Sequence, residues 1–525
     1  MKYLKILLII FVIVNSGIGQ DSISEYGLCT TFAAGKKATV DGSVMNGHTC
    51  DGNCDFALKV IPRRSHEMGD NVIIDYEGAK GGEFEHKYYG ETDIPQVPET
   101  FKYFMVETPI GNEYQVFFGE NTCYTKPELS NLGPGVAMLD FTQVAALGLQ
   151  RGKTAKEAIL AAGALIEKYG LQGIDGWGES FLVSDQNEAW CFEIVGESTI
   201  WVAQRIPDDH VCPHANRMRI GVVDVKDKKN FLMSPNLIQN AIDKGFYDPA
   251  EDGPFNFADV YSGDTHSSNK MREWRMFSLL CPSQNWEIEQ EFPFSIKPEK
   301  EISVEWWINN IWRDHLEDTI YDQSKRVVSG PFHAPESFRI DGVKNERTIS
   351  RSYTSYSWVS QSRSKLPNEI GGLFWFGLGC PRSTCYVPFY TGINHTPESW
   401  QKSDFTSFDL DSPWWYFESI DLISLLKYND IHKDIREVFG ALEVEQFRNQ
   451  LDFEKVAIDL FKSDPIGAKE FLTSYSNSRA VLAEKNAKDL FYDLIVKYSN
   501  LYSKKTEVSE EWLELLKTNP LIIEQ

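Results

Sequence analysis

The chain has 525 residues, of which 42% are hydrophobic and 24% charged, and its formal net charge is −24. This length is enough for a large core in one or several domains, and the acidic balance argues against nucleic acid or an anionic membrane as a partner. An ordinary solvated acidic surface explains the charge better than binding of a cationic substrate does.

The N-terminus has the pattern of a cleavable signal peptide. Two lysines flank the start of an apolar run at residues 6–14, and two glycines follow the run. The run is too short to span about 30 Å of hydrocarbon. We therefore predict a signal peptide over residues 1–19 and a mature protein that is secreted or lumenal and has no membrane anchor.

The stretch that follows predicts a β-hairpin headed by a cysteine. "CTTFAAG" is typical of a strand, "KKATVDG" of a turn and "SVMNGHTC" of a returning strand. If the chain were cut before Cys29, this residue would carry a thiol nucleophile and, in its α-amine with a pKa near ~8, a base. The alternative is a strand cysteine that happens to lie near the terminus, and position alone favours that alternative.

Cysteine usage adds two expectations. In an oxidising compartment thiols tend to pair, but the count of nine is odd, so at least one thiol stays free or bonds to another molecule. "HTCDGNC" brings His48, Cys50 and Cys54 together in sequence. No second ligand pair follows at the spacing of a zinc finger, so a disulfide or a buried thiol is favoured over a zinc site here. The cysteines are Cys29, Cys50, Cys54, Cys123, Cys191, Cys212, Cys281, Cys380 and Cys385.

The middle of the chain predicts strands on either side of a helix. "NEYQVFFGENT" indicates one strand, and the segment from Glu179 to Ile206 indicates an antiparallel meander. Between them, Thr154 and Glu157 form a capping-box pattern at the start of an amphipathic helix that Gly170 ends. Strands, a helix and further strands favour an α+β fold with helices packed on antiparallel sheets.

Other hydrolase signatures are absent from the sequence. It contains no H-E-x-x-H zinc-protease motif and no G-x-S-x-G elbow, and the glycine that a phosphate loop would need before "RGKT" is replaced by Leu147. From about residue 416 the apolar residues recur at spacings of three and four, which predicts a helical region over residues 416–525.

Several sequence blocks in order resemble the dipeptidase A family of cysteine peptidases. This family belongs to the N-terminal-nucleophile hydrolases, which are related to the bile salt hydrolases and penicillin V acylases. The resemblance covers the chain from Cys29 to about Tyr390. The blocks are "CTTFAAGKKATVDGS", "NEYQVFFGENT", "GESFLVSDQNEAWCFEIVG", "WVAQRIPDDHVCPHANRMRIG", "REWRMFSLLCPS", "RSYTSYSWVSQSR" and "STCYVPFYTG".

The resemblance implies a fold and a domain plan. It implies an αββα sandwich of two antiparallel sheets between helical layers, and a catalytic domain over residues 29–415. Residues 20–28 would be a short propeptide that is removed to free Cys29. The implied substrates are dipeptides, and no metal or cofactor is implied. The sequence is compatible with a homo-oligomer without indicating one.

The same resemblance implies roles for individual residues. Cys29 would be the nucleophile and its α-amine the base, while Asp51 would hold that amine in place. Asn216 would donate to the oxyanion, with Asn121 near a second donor. Arg272 would lie near the nucleophile. Taken singly, Asp51 could be a turn residue, Asn216 a loop cap and Arg272 one end of a helix salt bridge.

Some assignments leave alternatives open. Arg275 is the other candidate for the arginine near the nucleophile, while Asn112 and Glu113 are expected to fix a strand end. Many members of the family carry an arginine three residues before the aspartate, where this chain has His48. If His48 takes over that charge, it can do so only when protonated, so we expect hydrolysis to be favoured at acidic pH.

Two other functions remain compatible with the sequence. An N-acyl amide hydrolase would use the same Cys29 chemistry with a deeper apolar pocket, and a catalytically silent binding protein could share the fold. Asn394, in "NHT", is the only N-glycosylation pattern in the sequence.

Overall fold

The computed structural model describes residues 29–84, 90–133, 135–173, 176–263, 267–338, 340, 343, 345–503 and 505–518. The predicted signal peptide and propeptide lie outside the described residues. The described strands are β1 (Thr30–Ala34), β2 (Val44–Asp51), β3 (Lys59–Ile61), β4 (Arg64–Ser65), β5 (Asn71–Ile74), β6 (Gly90–Pro95), β7 (Glu99–Thr100), β8 (Tyr103–Met105), β9 (Gly111–Asn112), β10 (Phe117–Cys123), β11 (Gly178–Ser184), β12 (Ala189–Ile194), β13 (Trp201–Ile206), β14 (Val211–His214), β15 (Phe231–Met233), β16 (Thr354–Ser362), β17 (Leu373–Leu378) and β18 (Val387–Tyr390).

The described α-helices are α1 (Phe141–Arg151), α2 (Ala155–Tyr169), α3 (Leu237–Asp243), α4 (Phe257–Tyr261), α5 (Ser267–Leu280), α6 (Val304–Trp307), α7 (Asn368–Gly371), α8 (Pro413–Ser424), α9 (Tyr428–Ser463), α10 (Pro465–Tyr498) and α11 (Glu510–Thr518). A π-helical turn covers Ile308–Trp312, directly after α6. None of the described helices combines the length and the apolar character that a membrane span requires.

Two antiparallel sheets form the centre of the molecule. The six-stranded sheet has the order β14-β1-β2-β16-β17-β18, and the eight-stranded sheet has the order β15-β13-β12-β11-β10-β9-β8-β3. The sheets face each other, because the Asn46 side chain on β2 donates across the interface to the carbonyl oxygens of Leu182 (2.7 Å) and Phe117 (3.2 Å). Two further ribbons, β4-β7 and β5-β6, have two strands each.

Helices cover the outer face of each sheet. On the eight-stranded sheet, α1 and α2 bury an apolar cluster that contains Val144 and Ile159 together with Phe181 of β11. On the six-stranded sheet, Phe447 of α9 packs on Trp375 of β17 with ring centroids 4.1 Å apart. The layers therefore follow the predicted α+β order of helix, sheet, sheet and helix.

Local signals in the sequence account for several elements. The β1–β2 hairpin turns at Gly42, whose φ is 74°, while the Asp41 carboxylate accepts a bond of 3.0 Å from the Ser43 amide. Helix α2 begins where the Thr154 hydroxyl accepts from the Glu157 amide (3.2 Å), and it ends at Gly170. The hairpin, this helix and the meander β11-β12-β13 confirm the predictions for these segments.

The C-terminal region is helical, as predicted. The long helices α9 and α10 are separated only by Asp464, which caps α10 by accepting from the Gly467 amide at 2.9 Å. Their apolar residues join the same cluster as those of β16, β17 and β18. The division of the chain at residue 416 into separate domains stays a prediction.

The cysteines form no disulfides in this structure. All nine are free thiols, and all are buried. For Cys50 and Cys54 this is the buried-thiol alternative, whereas the general expectation that thiols pair in an oxidising compartment is not met.

Candidate active site

Cys29 lies directly before β1, the strand that runs between β14 and β2. The residue is buried, with 3% of its surface exposed. On one side, β1 pairs Thr31 with His214 of β14. When this register is continued past the start of β1 and the end of β14, Asn216 lies opposite Cys29. Two predicted site residues thus meet because of strand pairing.

On its other side Cys29 faces a second cysteine. The pairing of Thr30 with Thr49 places Cys50 of β2 directly opposite Cys29. A hydrogen bond with the Cys50 thiol and burial together raise the pKa of the Cys29 thiol well above its usual range. Deprotonation of Cys29 therefore needs a base close to the sulfur atom.

The Arg272 guanidinium connects the residues around Cys29. From α5 it donates to the main-chain oxygen of Cys29 (2.5 Å) and to the Thr30 hydroxyl (3.0 Å). It also donates to the side-chain oxygens of Asn216 (2.8 Å) and Asn269 (2.6 Å). Burial, and next the charge of a neighbouring arginine, lower the pKa of Arg272 to about 9, so it is still a cation at neutral pH.

The alternative candidate, Arg275, points elsewhere. Its side chain donates to Asp314 (2.6 Å) and to the main-chain oxygen of Glu317 (3.2 Å). Of the two arginines of "REWR", the structure brings Arg272 to Cys29.

Asp51 ends β2 and is fully buried. Its carboxylate forms an ion pair with Arg347 and accepts a hydrogen bond of 2.5 Å from the Thr354 hydroxyl. The charge of Asp51 is one of the influences that raise the pKa of Cys29, which places the carboxylate near the thiol. The residue is therefore a buried strand residue rather than a turn residue.

Two asparagines flank the main chain of Cys29. The Asn216 side chain donates to the Thr122 oxygen at 2.9 Å, while its oxygen accepts from Arg272. The Asn121 amide lies 2.5 Å from the Thr31 hydroxyl and 2.9 Å from His214 Nδ1. In the orientation that satisfies both ends of this amide, its oxygen accepts from the Thr31 hydroxyl and His214 Nδ1, while its nitrogen donates to the main-chain oxygens of Cys29 (2.9 Å) and Glu120 (3.2 Å).

His48 lies on β2, two residues before Cys50, and is fully buried. Neither of its ring nitrogens has a hydrogen-bond partner among the described residues. The nearest carboxylate oxygen, Glu120 Oε2, is 4.0 Å from His48 Nε2. Burial lowers the pKa of His48 to about 3. The ring is therefore neutral in an acidic lumen, and the expected charge role does not follow from this geometry.

Comparisons with known proteins identify the family of this chain. The model of peptidase family C69 matches residues 28–440. The chain belongs to peptidase family C69. Its relatives include a "Probable dipeptidase" of Latilactobacillus sakei, 26% identical over 93% of this chain and 98% of the relative. "Dipeptidase A" of Lactobacillus helveticus is 26% identical over 74% and 80%, and a "Probable dipeptidase" of Salmonella dublin is 28% identical over 70% and 82%.

The surroundings of Cys29 contain residues that sequence reasoning missed. Arg347 pairs with Asp51 across 296 positions of sequence. Glu120 of β10 and Glu179 of β11 are both buried, and their pKa values influence each other. Burial raises the pKa of Glu120 to about 7, while burial and the charge of Glu120 raise that of Glu179 well above its usual range.

A small cavity adjoins the site on the side of Asp51. Its volume is about 200 Å³. Arg347 and Arg351 line it together with Glu289 and Glu346, and so does Ser268, whose carbonyl oxygen accepts from Arg272. The cavity is below the ~300 Å³ at which pockets for drug-sized ligands begin, and its lining combines charged side chains of both signs with the apolar side chains of Met271 and Ile288. It can hold a small molecule that carries charges of both signs.

Proposed function

We propose that this protein is a secreted or lumenal cysteine dipeptidase whose nucleophile is Cys29, freed by cleavage of the bond before it. The observation that carries the proposal is the position of Arg272, which bonds to both the main chain of Cys29 and the side chain of Asn216. One buried cation thus fixes the nucleophile relative to an amide donor. Catalysis of amide cleavage needs this kind of pre-organised arrangement.

The protonation of the Cys29 thiol indicates which group acts as the base. Because the pKa of Cys29 is raised, the thiol stays protonated unless a neighbouring group accepts its proton. His48 has no hydrogen bond to the thiol among those described, and Asp51 is already paired with Arg347. The α-amine that cleavage would create is part of Cys29 itself and has a suitable pKa near ~8.

The reaction then proceeds in two stages. The α-amine takes the thiol proton, and the thiolate attacks the carbonyl carbon of the peptide bond. The oxyanion receives a hydrogen bond from the Asn216 amide, the C–N bond breaks, and the leaving amine takes the proton back from the α-amine. Water then attacks the thioester and gives its proton to the α-amine, and the carboxylic acid leaves as the thiol reforms.

The charged cavity supports dipeptides as the substrate class. A dipeptide carries an ammonium and a carboxylate, and the cavity offers Glu289 and Glu346 for the first and Arg347 and Arg351 for the second. An N-acyl amide would need an apolar pocket instead. The names of the relatives in Latilactobacillus sakei and Lactobacillus helveticus point in the same direction.

The test combines the N-terminus with a substrate panel. We expect N-terminal sequencing of secreted protein to begin at Cys29, and we expect hydrolysis of free dipeptides but not of the same dipeptides with an acetylated amine. Cys29→Ser is the matched inactive variant. Activity in a form that retains residues before Cys29 would contradict the nucleophile and base roles, while a preference for acylated substrates would support an amidase.

Secretion is the remaining part of the proposal, and the apolar run at residues 6–14 supports it. Expression of the full chain in a eukaryotic secretory host should place the protein in the medium or in a lumenal compartment. Retention in the cytosol would contradict it. Asn394 is exposed, so loss of mass after glycosidase treatment, absent in Asn394→Gln, would show whether it is modified.

A further inference from the structure

Three side chains with metal-binding atoms meet beside the nucleophile. The sulfur atoms of Cys29 and Cys50 and a ring nitrogen of His48 all lie within 4.8 Å of one another. Strand geometry explains the grouping. His48 and Cys50 point to the same face of β2, because side chains alternate along a strand, and Cys29 lies opposite Cys50 on β1.

The unpartnered ring nitrogens of His48 indicate that this cluster binds a ligand. Buried polar atoms are almost always hydrogen-bonded, yet both ring nitrogens of His48 have no partner among the described residues. A ring nitrogen without a hydrogen-bond partner has a lone pair that can bind a metal ion.

The donor set and its spacing suit zinc. Zn²⁺ takes four ligands in a tetrahedron, with Zn–S distances near ~2.3 Å and Zn–N distances near ~2.0 Å, so its ligand atoms lie roughly 3.3–3.8 Å apart. The three donor atoms here lie within 4.8 Å of one another, so small side-chain rotations are enough to reach these separations. The sequence had grouped His48 and Cys50 with Cys54, but Cys54 is not part of this cluster.

We propose that Cys29, His48 and Cys50 hold three of the four positions of a Zn²⁺ site that inhibits the enzyme, leaving the fourth position open. Each cysteine gives up its thiol proton to solvent and donates a sulfur lone pair to the metal. The Cys29 sulfur is then no longer free to attack a carbonyl carbon. The metal is thus an inhibitor that competes with catalysis.

A second cluster in the same molecule contains a histidine whose ring nitrogens both have hydrogen-bond partners. Cys191, Glu193 and His214 also bring their donor atoms within 4.8 Å and are also buried. Here, however, His214 contacts Asn121 through Nδ1 (2.9 Å) and Ser180 through Nε2 (3.0 Å). No ring nitrogen is left for a metal, so this cluster provides a matched control.

Metal binding is tested first, because it does not depend on the proposed peptidase function. Reduced protein is dialysed against Zn²⁺ and the bound metal is counted, and Co²⁺ is used as a spectroscopic probe of thiolate ligands. We expect one tight site. Cys50→Ala and His48→Gln should each weaken it by at least about 10-fold, whereas Cys191→Ala should not. Cys29→Ala provides a third ligand variant.

Thermal unfolding of each variant separates loss of the site from loss of the fold. Equal metal binding by the wild type and a folded Cys50→Ala or His48→Gln variant would overturn the proposal. Loss of binding in Cys191→Ala alone would move the site to the second cluster and would equally overturn it.

The inhibitory consequence rests on the proposed role of Cys29 and has its own readout. Zn²⁺ should inhibit dipeptide hydrolysis, and a chelator should restore it. The inhibitory concentration should rise by at least about 10-fold in Cys50→Ala and stay unchanged in Cys191→Ala. Tight metal binding by a protein that never hydrolyses dipeptides would leave the metal site in place and refute the proposed function. Hydrolysis that Zn²⁺ does not affect would refute the inhibition and leave the function in place.

Discussion

Two buried histidines lie on either side of the same residue of β1. Thr31 pairs with His48 on β2 and with His214 on β14, so both side chains point toward the eight-stranded sheet. His214 has a partner for each ring nitrogen, whereas His48 has none. Burial alone therefore does not identify a functional histidine. The difference lies in the hydrogen bonds, and it separates the cluster around His214 from the cluster around Cys29, for which we propose a reactive role.

The largest expected effect is on catalytic activity, and it tests which of the two clusters contains the nucleophile. Cys29→Ser should lower kcat/KM for dipeptides by at least about 10³-fold, equivalent to about 4 kcal/mol, because a hydroxyl is far less ionised than a thiol. Cys191→Ser, in the cluster around His214, should change it little. Steady-state kinetics on both variants measures the contrast. If Cys191→Ser lost as much activity as Cys29→Ser, the distinction between the clusters would fail.

The next effect concerns the free energy of unfolding. His214→Leu removes the partner of Asn121 and Ser180 and should destabilise the protein by about 1–3 kcal/mol for each buried group left unpaired. His48→Leu removes no hydrogen bond and should be close to neutral or stabilising. Denaturant unfolding of both variants compares them. A loss of stability in His48→Leu equal to that in His214→Leu would mean that His48 has a partner.

A smaller effect is the dependence of stability on pH. Burial raises the pKa of Glu120 from an ordinary 4.5 to about 7. Between these values the folded state holds a proton that the unfolded state has released, so stability falls as pH rises, by up to about 1.4 kcal/mol per pH unit. Glu120→Gln should flatten this fall, while Glu511→Gln, on the surface of α11, should not. Unfolding curves between pH 4 and 8 that remain parallel for the wild type and Glu120→Gln would contradict the assignment.

The smallest expected effect is on the pH profile of activity. Because the pKa of His48 is about 3, the ring does not change charge between pH 4 and 8. His48→Gln should therefore leave the shape of the kcat/KM profile unchanged over this range, whatever it does to the maximum. A profile whose acidic limb moves in His48→Gln would restore the charge role that the sequence suggested.

The sequence predicted those secondary-structure elements whose bounds are set by residues close together in the chain. Signals within a few residues of each other account for the β1–β2 hairpin and for the periodic C-terminal helices. They also account for the two ends of α2, at Thr154 and Gly170. The sequence also led to Cys29, Asp51, Asn216 and Arg272 through resemblance, and the structure brings these residues together. Their catalytic roles stay predictions until the variants are measured.

The contacts that join distant strands could not be predicted in this way. The sequence around Arg347 contains no motif that would link this residue to Asp51. The pairing of β16 with β2 brings the two residues together. The contact between Glu120 and Glu179 depends on the register of β10 and β11. The general tendency of thiols to pair likewise says nothing about which cysteines a sheet places side by side, and Cys29 and Cys50 lie opposite each other as free thiols.

The anchoring of Cys29 bears on when the proposed leader would be removed. Its main-chain oxygen is bonded to Arg272, and the residues after it are hydrogen-bonded between two neighbouring strands. An endopeptidase that binds its substrate as an extended segment would find these residues already paired in the finished sheet. If cleavage frees Cys29, we therefore expect such an enzyme to act before the sheet is assembled, whereas in the folded protein the leader would have to be trimmed from its free end or released by the chain's own thiol.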